Sequence, residues 1–447
     1  MGLADRIKND LPKAPHILTL PLLTFNHFGD RIYGQAMRRF KASIPSLDPE
    51  RMIVDMANYA IEHVPYYRDK YKGLRIKSAE QFRKEFDFID KNTIRSAPEK
   101  FISDTPGKYI TVSTSGSTGT PLKMLMPANR YVTEMAFVTR AWEMQGWTYG
   151  RRASIRMERM PEGRKFHINP VTKEFIFDGV ERSDDYVRMI HRTMRRHNVR
   201  DIYAYSMSAF QILKQMQALG LDLSFLRNLI LTSEAVSELQ YRFLHEELGL
   251  NIICHYGHTE KLVCARSLTG YDHYMVEPAY GYTELIDFSG AVPADASAEG
   301  GYGEIVGSTL YNRAMPLLRY RTADSALSGG IKKDIDGIDK LLLTRIDGRS
   351  DKGIFYRHDG SVISEPAMIF HGEILSHIDG LQYVQDKRGY LRCIIRPNAL
   401  FNDKDMDELR HKLSTAMLGH EYYTIETHGN FIIQPNGKFL LTVNNTL

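Results

Sequence analysis

The sequence predicts an α/β protein: a large N-terminal domain with parallel-rich sheets and helices plus a β-rich part, and a small α+β C-terminal domain. Between 183 and 255, strand-like and helix-like segments alternate at the spacing of a parallel sheet. From Gly301 to Thr344 short β segments take over, and a polar, glycine-bearing stretch from Asp347 to Gly353 precedes a tail the size of a small domain. The length of 447 residues asks for more than one core, since single cores stop growing at roughly 250–300 residues. The expected division is 1–346, a hinge at 347–352, and a mobile domain at 353–447.

Residues 1–100 read as mostly helical, with Met52, Met56, Tyr59, Ala60 and His63 at helical spacing before Pro65 stops the run. A strand is expected at Tyr109–Val112. Ser183-Asp184-Asp185 opens a helix carrying Val187, Ile190 and Met194, and a strand follows from Asp201 to Tyr205. The next helix runs through Phe210, Leu213 and Met216 and ends at Gly220. A strand at Leu229–Leu231, a helix from Ser237 to Gly249 and a strand at Asn251–Cys254 complete the alternation. In the β-rich part, Gly329-Gly330 and Asp336-Gly337 are read as turns. The tail should hold strands near 391–396, 422–427, 431–434 and 439–443, and a helix near 404–418.

The net charge of +4 is small for this size and calls for no nucleic-acid partner. Three scattered cysteines make no disulfide framework, which points to a reducing, cytoplasmic setting. Cys264 with His273 offers half a zinc site, or a buried thiol and a surface imidazole. No apolar run reaches the roughly 18 residues of a membrane span. Ile17–Leu23 is short and broken by Pro21, so it is no signal peptide; it packs on the main domain or meets a membrane surface or partner.

Candidate chemistry begins at Ser113–Pro121, where small hydroxyl residues surround Gly116 and Gly119. Nothing there fills the space above the backbone, so amides and hydroxyls can fold around a polyphosphate. The spacing is not that of the Walker loop, because no Lys-Ser/Thr follows and Pro121 closes the turn. Read alone, the stretch is a phosphate cradle or a Ser/Thr/Gly linker. Tyr256-Gly257-His258-Thr259-Glu260 follows an expected parallel strand, beyond whose carboxyl end ligands bind. Glu260 there could hold Mg2+ or merely cap the next helix. Asp324, at the end of Arg319-Tyr320-Arg321-Thr322-Ala323-Asp324, could accept ribose hydroxyls or pair with Arg321. Arg349 at the junction and Lys438 in the tail, after Gly437, are weak signals when read singly.

Together, in this order, the five segments resemble the adenylate-forming superfamily of acyl-CoA synthetases, peptide-synthetase adenylation domains and luciferases. The similarity runs from about residue 50 to the end. Thr114–Pro121 looks like its phosphate loop, Tyr256–Glu260 like its Tyr-Gly-x-Thr-Glu segment, and Tyr320–Asp324 like Tyr-Arg-Thr-Gly-Asp. Val64-Pro65-Tyr66-Tyr67-Arg68 and Met315-Pro316-Leu317-Leu318-Arg319-Tyr320-Arg321 point to the branch of phenylacetate–CoA ligase and capsular-polysaccharide-biosynthesis proteins. Four departures stand out. Leu122 replaces a lysine often found there, with Lys123 one place late. Ser233-Glu234-Ala235 replaces Gly-Gly-Glu, Ala323 replaces glycine, and Gln434-Pro435-Asn436 replaces Pro-Arg-Thr before Lys438.

The resemblance implies ATP, Mg2+ and CoA. Ser115, Gly116, Ser117, Thr118 and Gly119 would cradle phosphates. Ser233, Glu234, Ala235, His255, Tyr256, Gly257 and Thr259 would line the nucleotide site, with Asp324 and Arg349 on the ribose. Glu260 would hold the metal, and Lys438, Glu260 and Thr118 would carry the chemistry, the small domain turning near Asp351. The implied reaction activates a carboxylic acid as an acyl-adenylate and passes it to CoA. Two alternatives stay open: transfer to an amine or hydroxyl, as on a sugar in surface-polysaccharide assembly, and a silent nucleotide-binding protein. The basic stretch Arg151, Arg152, Arg156, Arg159, Arg164 and Lys165 is an acyl or acceptor subsite or a solvated face. A homodimer is the default expectation for a soluble enzyme.

Overall fold

The computed structural model describes residues 7, 10–24, 34–105, 107–113, 122–156, 160, 164–179, 181–232, 236–287, 295–347, 354–364, 374, 377–433 and 440–446. The chain divides into two compact units. Met1–Val236, Phe243–Thr322 and Ala326–Ile346 make up the larger; Ser237–Arg242, Ala323–Ser325 and Asp347–Leu447 make up the smaller.

Helices at His16–Thr24, Gln35–Ser43, Pro49–His63, Pro65–Lys70, Ala79–Glu85 and Lys91–Ser96 open the larger unit. In Pro49–His63 the Asp48 carboxylate caps the first turn by accepting the Arg51 amide, and Ile53, Met56, Ala57 and Ala60 form the buried face. Pro65 starts a new helix as well as ending the old one: Val64 before it is extended, as a residue preceding proline prefers. In His16–Thr24, Leu23 is buried and His16 lies against Phe166, while Ile17 and Leu18 are exposed. Among the described residues no helix is long and apolar enough to cross a membrane.

Strands β1 (Tyr109–Ser113) and β2 (Lys123–Pro127) pair antiparallel, so the glycine-bearing sequence 114–121, outside the described residues, falls between two paired strands. The main sheet begins with β3 (Arg152–Arg156), β4 (Phe166–Asn169), β5 (Glu174–Asp178), β6 (Asp201–Tyr205), β7 (Asn228–Thr232) and β8 (Asn251–Gly257). It continues through β9 (Cys264–Ser267), β10 (Tyr274–Val276), β11 (Gly281–Ile286), β12 (Tyr302–Thr309), β13 (Tyr320–Lys333) and β14 (Asp339–Asp347). The strand order is β11-β12-β13-β14-β10-β9-β8-β7-β6-β3-β5-β4. From β5 through β3, β6 and β7 to β8 neighbours are parallel; beyond β8 the pairing turns antiparallel. The parallel strands bury continuous apolar runs such as Leu229-Ile230-Leu231, as a sheet covered on both faces requires. Gly220 and Gly249, both at positive φ, close the helical segments before β7 and β8.

The glycines of Gly329-Gly330 are not a turn but lie inside the long β13. A Cβ on Gly329 would run into the Leu342 side chain of β14, and Gly330 adopts φ +77, so these glycines serve close packing and a local kink. The chain reverses instead at Asp336-Gly337, where Gly337 takes φ +79. Beside this turn Lys340, Arg140 and Arg266 share Glu277, Asp334 and Asp336 in a buried, charge-balanced network.

The smaller unit holds an antiparallel pair, β15 (Ile354–Tyr356) and β16 (Val362–Ser364). Its four-stranded sheet has the order β19-β18-β17-β20, from β17 (Ile378–Lys387), β18 (Tyr390–Pro397), β19 (Tyr423–Glu426) and β20 (Thr442–Asn444). A helix at Asp403–Met417, capped by Asn402, packs Leu409, Leu413 and Met417 with Tyr383 and Cys393. The fold is α+β, but β17 escaped the sequence reading because polar Gln382 and Gln385 sit in its buried centre. Gln382 donates Nε2 to the Ile432 and Leu440 carbonyls, both at 2.9 Å, and accepts the Ile432 amide at 2.7 Å. Phe431 and Ile432, expected to be strand, belong to none.

Candidate active site

The parallel half of the sheet ends at β8, and the strand changes partner along its length. Asn251–Cys254 pair with Asn228–Leu231 of β7; His255, Tyr256 and Gly257 pair instead with Arg266, Ala265 and Cys264 of β9. The pairing of β7 with β8 ends there, and open α/β sheets bind ligands beyond the carboxyl ends of their parallel strands. His258-Thr259-Glu260-Lys261 turns at this point, closed by the Lys261 amide on the His258 carbonyl at 3.1 Å. Glu260 caps no helix, since the next element is β9. Its side chain is only 6% exposed, with His258 Nδ1 at 3.8 Å. The Tyr256 ring meets His258 edge-on, centroids 5.7 Å apart.

Lys261 takes φ +59, a left-handed backbone unusual outside glycine. Its ammonium turns not to Glu260 but to Glu134 on the helix Arg130–Met144, at 2.6 Å, and Tyr280 OH donates to the other Glu134 oxygen at 2.7 Å. Glu134, Lys261 and Tyr280 were not singled out from sequence, because nothing marks a contact spanning 127 positions. Loss of hydration in its half-buried setting pushes the pKa of His255 down to about 4, with Glu134 opposing and Lys261 assisting. The ring is therefore neutral at pH 7, and Trp142 Nε1 points at its Nδ1 from 3.5 Å.

Asp324 sits on β13 directly after Ala323, whose φ of +62 is again left-handed. The glycine usual at this position in the resembled family thus has a backbone reason. Arg321 is paired with Glu304 at 2.5 Å. Arg319 pairs with Glu284 at 2.8 Å and donates to the Phe86 carbonyl.

Three of the six basic side chains are committed to structure. Arg151 bonds the His197 carbonyl, Arg152 pairs with buried Glu174, and Arg164 binds the Pro12, Lys13 and Ala14 carbonyls. Arg159 lies outside the described residues. Cys264 is buried, which pushes its thiol pKa up, and His273 pairs with Asp272. Among the described residues no three His, Cys, Asp or Glu side chains cluster as a metal site.

Ser115, Gly116, Ser117, Thr118, Gly119, Ser233, Glu234, Ala235, Arg349, Asp351 and Lys438 also lie outside the described residues. The structure therefore brings together His255, Tyr256, Gly257, His258, Thr259 and Glu260, with Thr232 ending the neighbouring β7.

A 2-hydroxyisobutyryl-CoA ligase in the postadenylation state, in complex with R3-HIB-AMP, matches with a TM-score of 0.68 over 91% of this chain and 90% of that chain, at 15% identity. The chain has the fold of the adenylate-forming acyl-CoA ligases. The same ligase in an open conformation, with 2-HIB-AMP and CoA, matches this chain at a TM-score of 0.56 and 16% identity over 88% of this chain and 89% of that chain. In its thioesterification state the TM-score is 0.55, at 16% identity over 91% and 90%. The sequence matches no protein-family model and no curated protein.

Proposed function

We propose that the protein is an AMP-forming acid–thiol ligase, which converts a carboxylic acid and ATP to an acyl-adenylate and then to an acyl-CoA. The observation that carries this reading is the placing of Tyr256–Glu260 at the partner change of β8, on a fold like that of the adenylate-forming ligases, with the other motifs before and after it in the expected order along the chain. Val64–Arg68 and Met315–Arg321 favour the phenylacetate–CoA ligase branch within that fold.

Adenylation brings two anions together while charge builds on departing pyrophosphate, so its barrier is largely electrostatic. Glu260 suits Mg2+, which takes one or two carboxylates and fills its shell with phosphate oxygens and water. When bound, the ion would neutralise charge on the polyphosphate. Ser115–Thr118 would donate amides and hydroxyls to the phosphates, and Lys438 an ammonium. Asp324 and Arg349 would hold the ribose so that the α-phosphate meets the carboxylate in line. Tyr256 would stack on adenine. In the second step the CoA thiol gives up its proton to solvent and attacks the acyl carbon, AMP leaves with the bonding pair of the broken C–O bond, and Lys438 is no longer needed.

A carboxylate library screened for pyrophosphate release, with hydroxylamine to trap activated acid, tests this. Acid-dependent release with hydroxamate, and AMP turnover that needs CoA, support the reading. Adenylation that CoA does not discharge points to an amine or hydroxyl acceptor. ATP binding without release for any acid overturns catalysis.

A further inference from the structure

Glu260 is followed by a lysine whose ammonium could reach a neighbouring carboxylate, yet the two do not pair. Glu134 takes the Lys261 ammonium at 2.6 Å, and Tyr280 fixes the second Glu134 oxygen at 2.7 Å. Lys261 also has a left-handed backbone (φ +59), which is uncommon and costly for an L-residue other than Asn or Asp. One ion pair thus accounts for two features: a strained residue held in place and a cation kept from the carboxylate beside it. Without Glu134, the Lys261 backbone is free to relax and its ammonium to fold onto Glu260, competing with a divalent cation for the same oxygens.

We infer that Glu134 is a positioning residue: by holding Lys261 it leaves the Glu260 carboxylate open to the metal–nucleotide complex. This rests on the reading of Glu260 as a metal ligand. It concerns no substrate contact by Glu134 itself, whose exposure in the ion pair is 20%.

The test is binding of Mn2+–ATP to the full-length protein, read by electron paramagnetic resonance without turnover. Glu260→Gln should weaken binding; if it does not, the metal-site reading fails and the inference with it. Glu134→Gln, which keeps an acceptor for Tyr280, should weaken binding about tenfold. Adding Lys261→Gly, which removes the ammonium and takes positive φ freely, should restore affinity to within about threefold of wild type. Weakening by Glu260→Gln but not by Glu134→Gln overturns the inference alone. So does a double variant as weak as Glu134→Gln, because that would place the role of Glu134 in packing rather than in holding Lys261. Thermal unfolding of each variant identifies those that fail to fold; if Glu134→Gln does, Glu134→Asp with and without Lys261→Gly carries the same comparison.

Discussion

The Tyr67 hydroxyl accepts the Leu318 amide at 3.1 Å and donates to the Pro316 carbonyl at 3.2 Å, inside a core where Tyr67 is 1% exposed. That hydroxyl joins the two strings, Val64–Arg68 and Met315–Arg321, on which the branch resemblance rests. Burial pushes its pKa up, so the phenol stays protonated and remains a donor. The segment it anchors leads directly into β13 and on to Asp324.

Tyr67→Phe keeps the ring contacts and removes only the hydroxyl. It leaves one amide and one carbonyl without that partner, so the larger unit should lose about 1–3 kcal/mol in urea unfolding. A loss below about 0.5 kcal/mol would show that Leu318 and Pro316 find other partners.

Ala323 sits at φ +62, where a Cβ costs roughly 1–2 kcal/mol against glycine. The greater freedom of glycine in the unfolded chain takes back about 0.4–1 kcal/mol. Ala323→Gly should therefore raise the unfolding free energy slightly, by about 0 to 1.6 kcal/mol, whereas Ala323→Val should lower it. The opposite order would mean that the backbone at Ala323 is not held left-handed.

Gln382 bonds the main chain on both sides of the segment that carries Lys438, at Ile432 and Leu440. Gln382→Leu removes all three bonds in a fully buried site. We expect a loss of about 2–4 kcal/mol in the smaller unit, and faster hydrogen exchange at the Ile432 amide. Unchanged exchange there would refute this account of the strand.

His255 has a folded pKa of about 4, against an ordinary value of 6.5, because burial disfavours its charged form. A lowered histidine pKa makes the unfolded state bind more protons between these values, so stability falls as pH drops from 6.5 towards 4. The loss should reach at most about 3 kcal/mol. It should shrink in His255→Gln, measured as the difference in urea midpoint between pH 7 and pH 4.5.

The parallel half of the sheet was legible because each strand there is a short apolar run bounded by a helix with a glycine stop, as at Gly220 and Gly249. β13 and β17 were not, for opposite reasons. In β13 glycine serves close approach to Leu342, which composition cannot distinguish from a turn. In β17 the buried glutamines bond main chain rather than packing as apolar side chains, so the alternation that marks a strand is broken. At the site, Tyr256 to Glu260 could be found because they are consecutive and run on from the apolar segment Asn251–Cys254, although the strand itself continues to Gly257. Glu134 could not, since only the folded sheet brings its helix against Lys261.

The central claim is that this chain activates an acid by adenylation. Exchange of labelled pyrophosphate into ATP, run with a carboxylic acid and no CoA, tests it most directly. The account predicts exchange that requires the acid and falls by at least about 100-fold in Glu260→Gln and in Lys438→Ala. Exchange that ignores the acid, or survives undiminished in both variants, would contradict it.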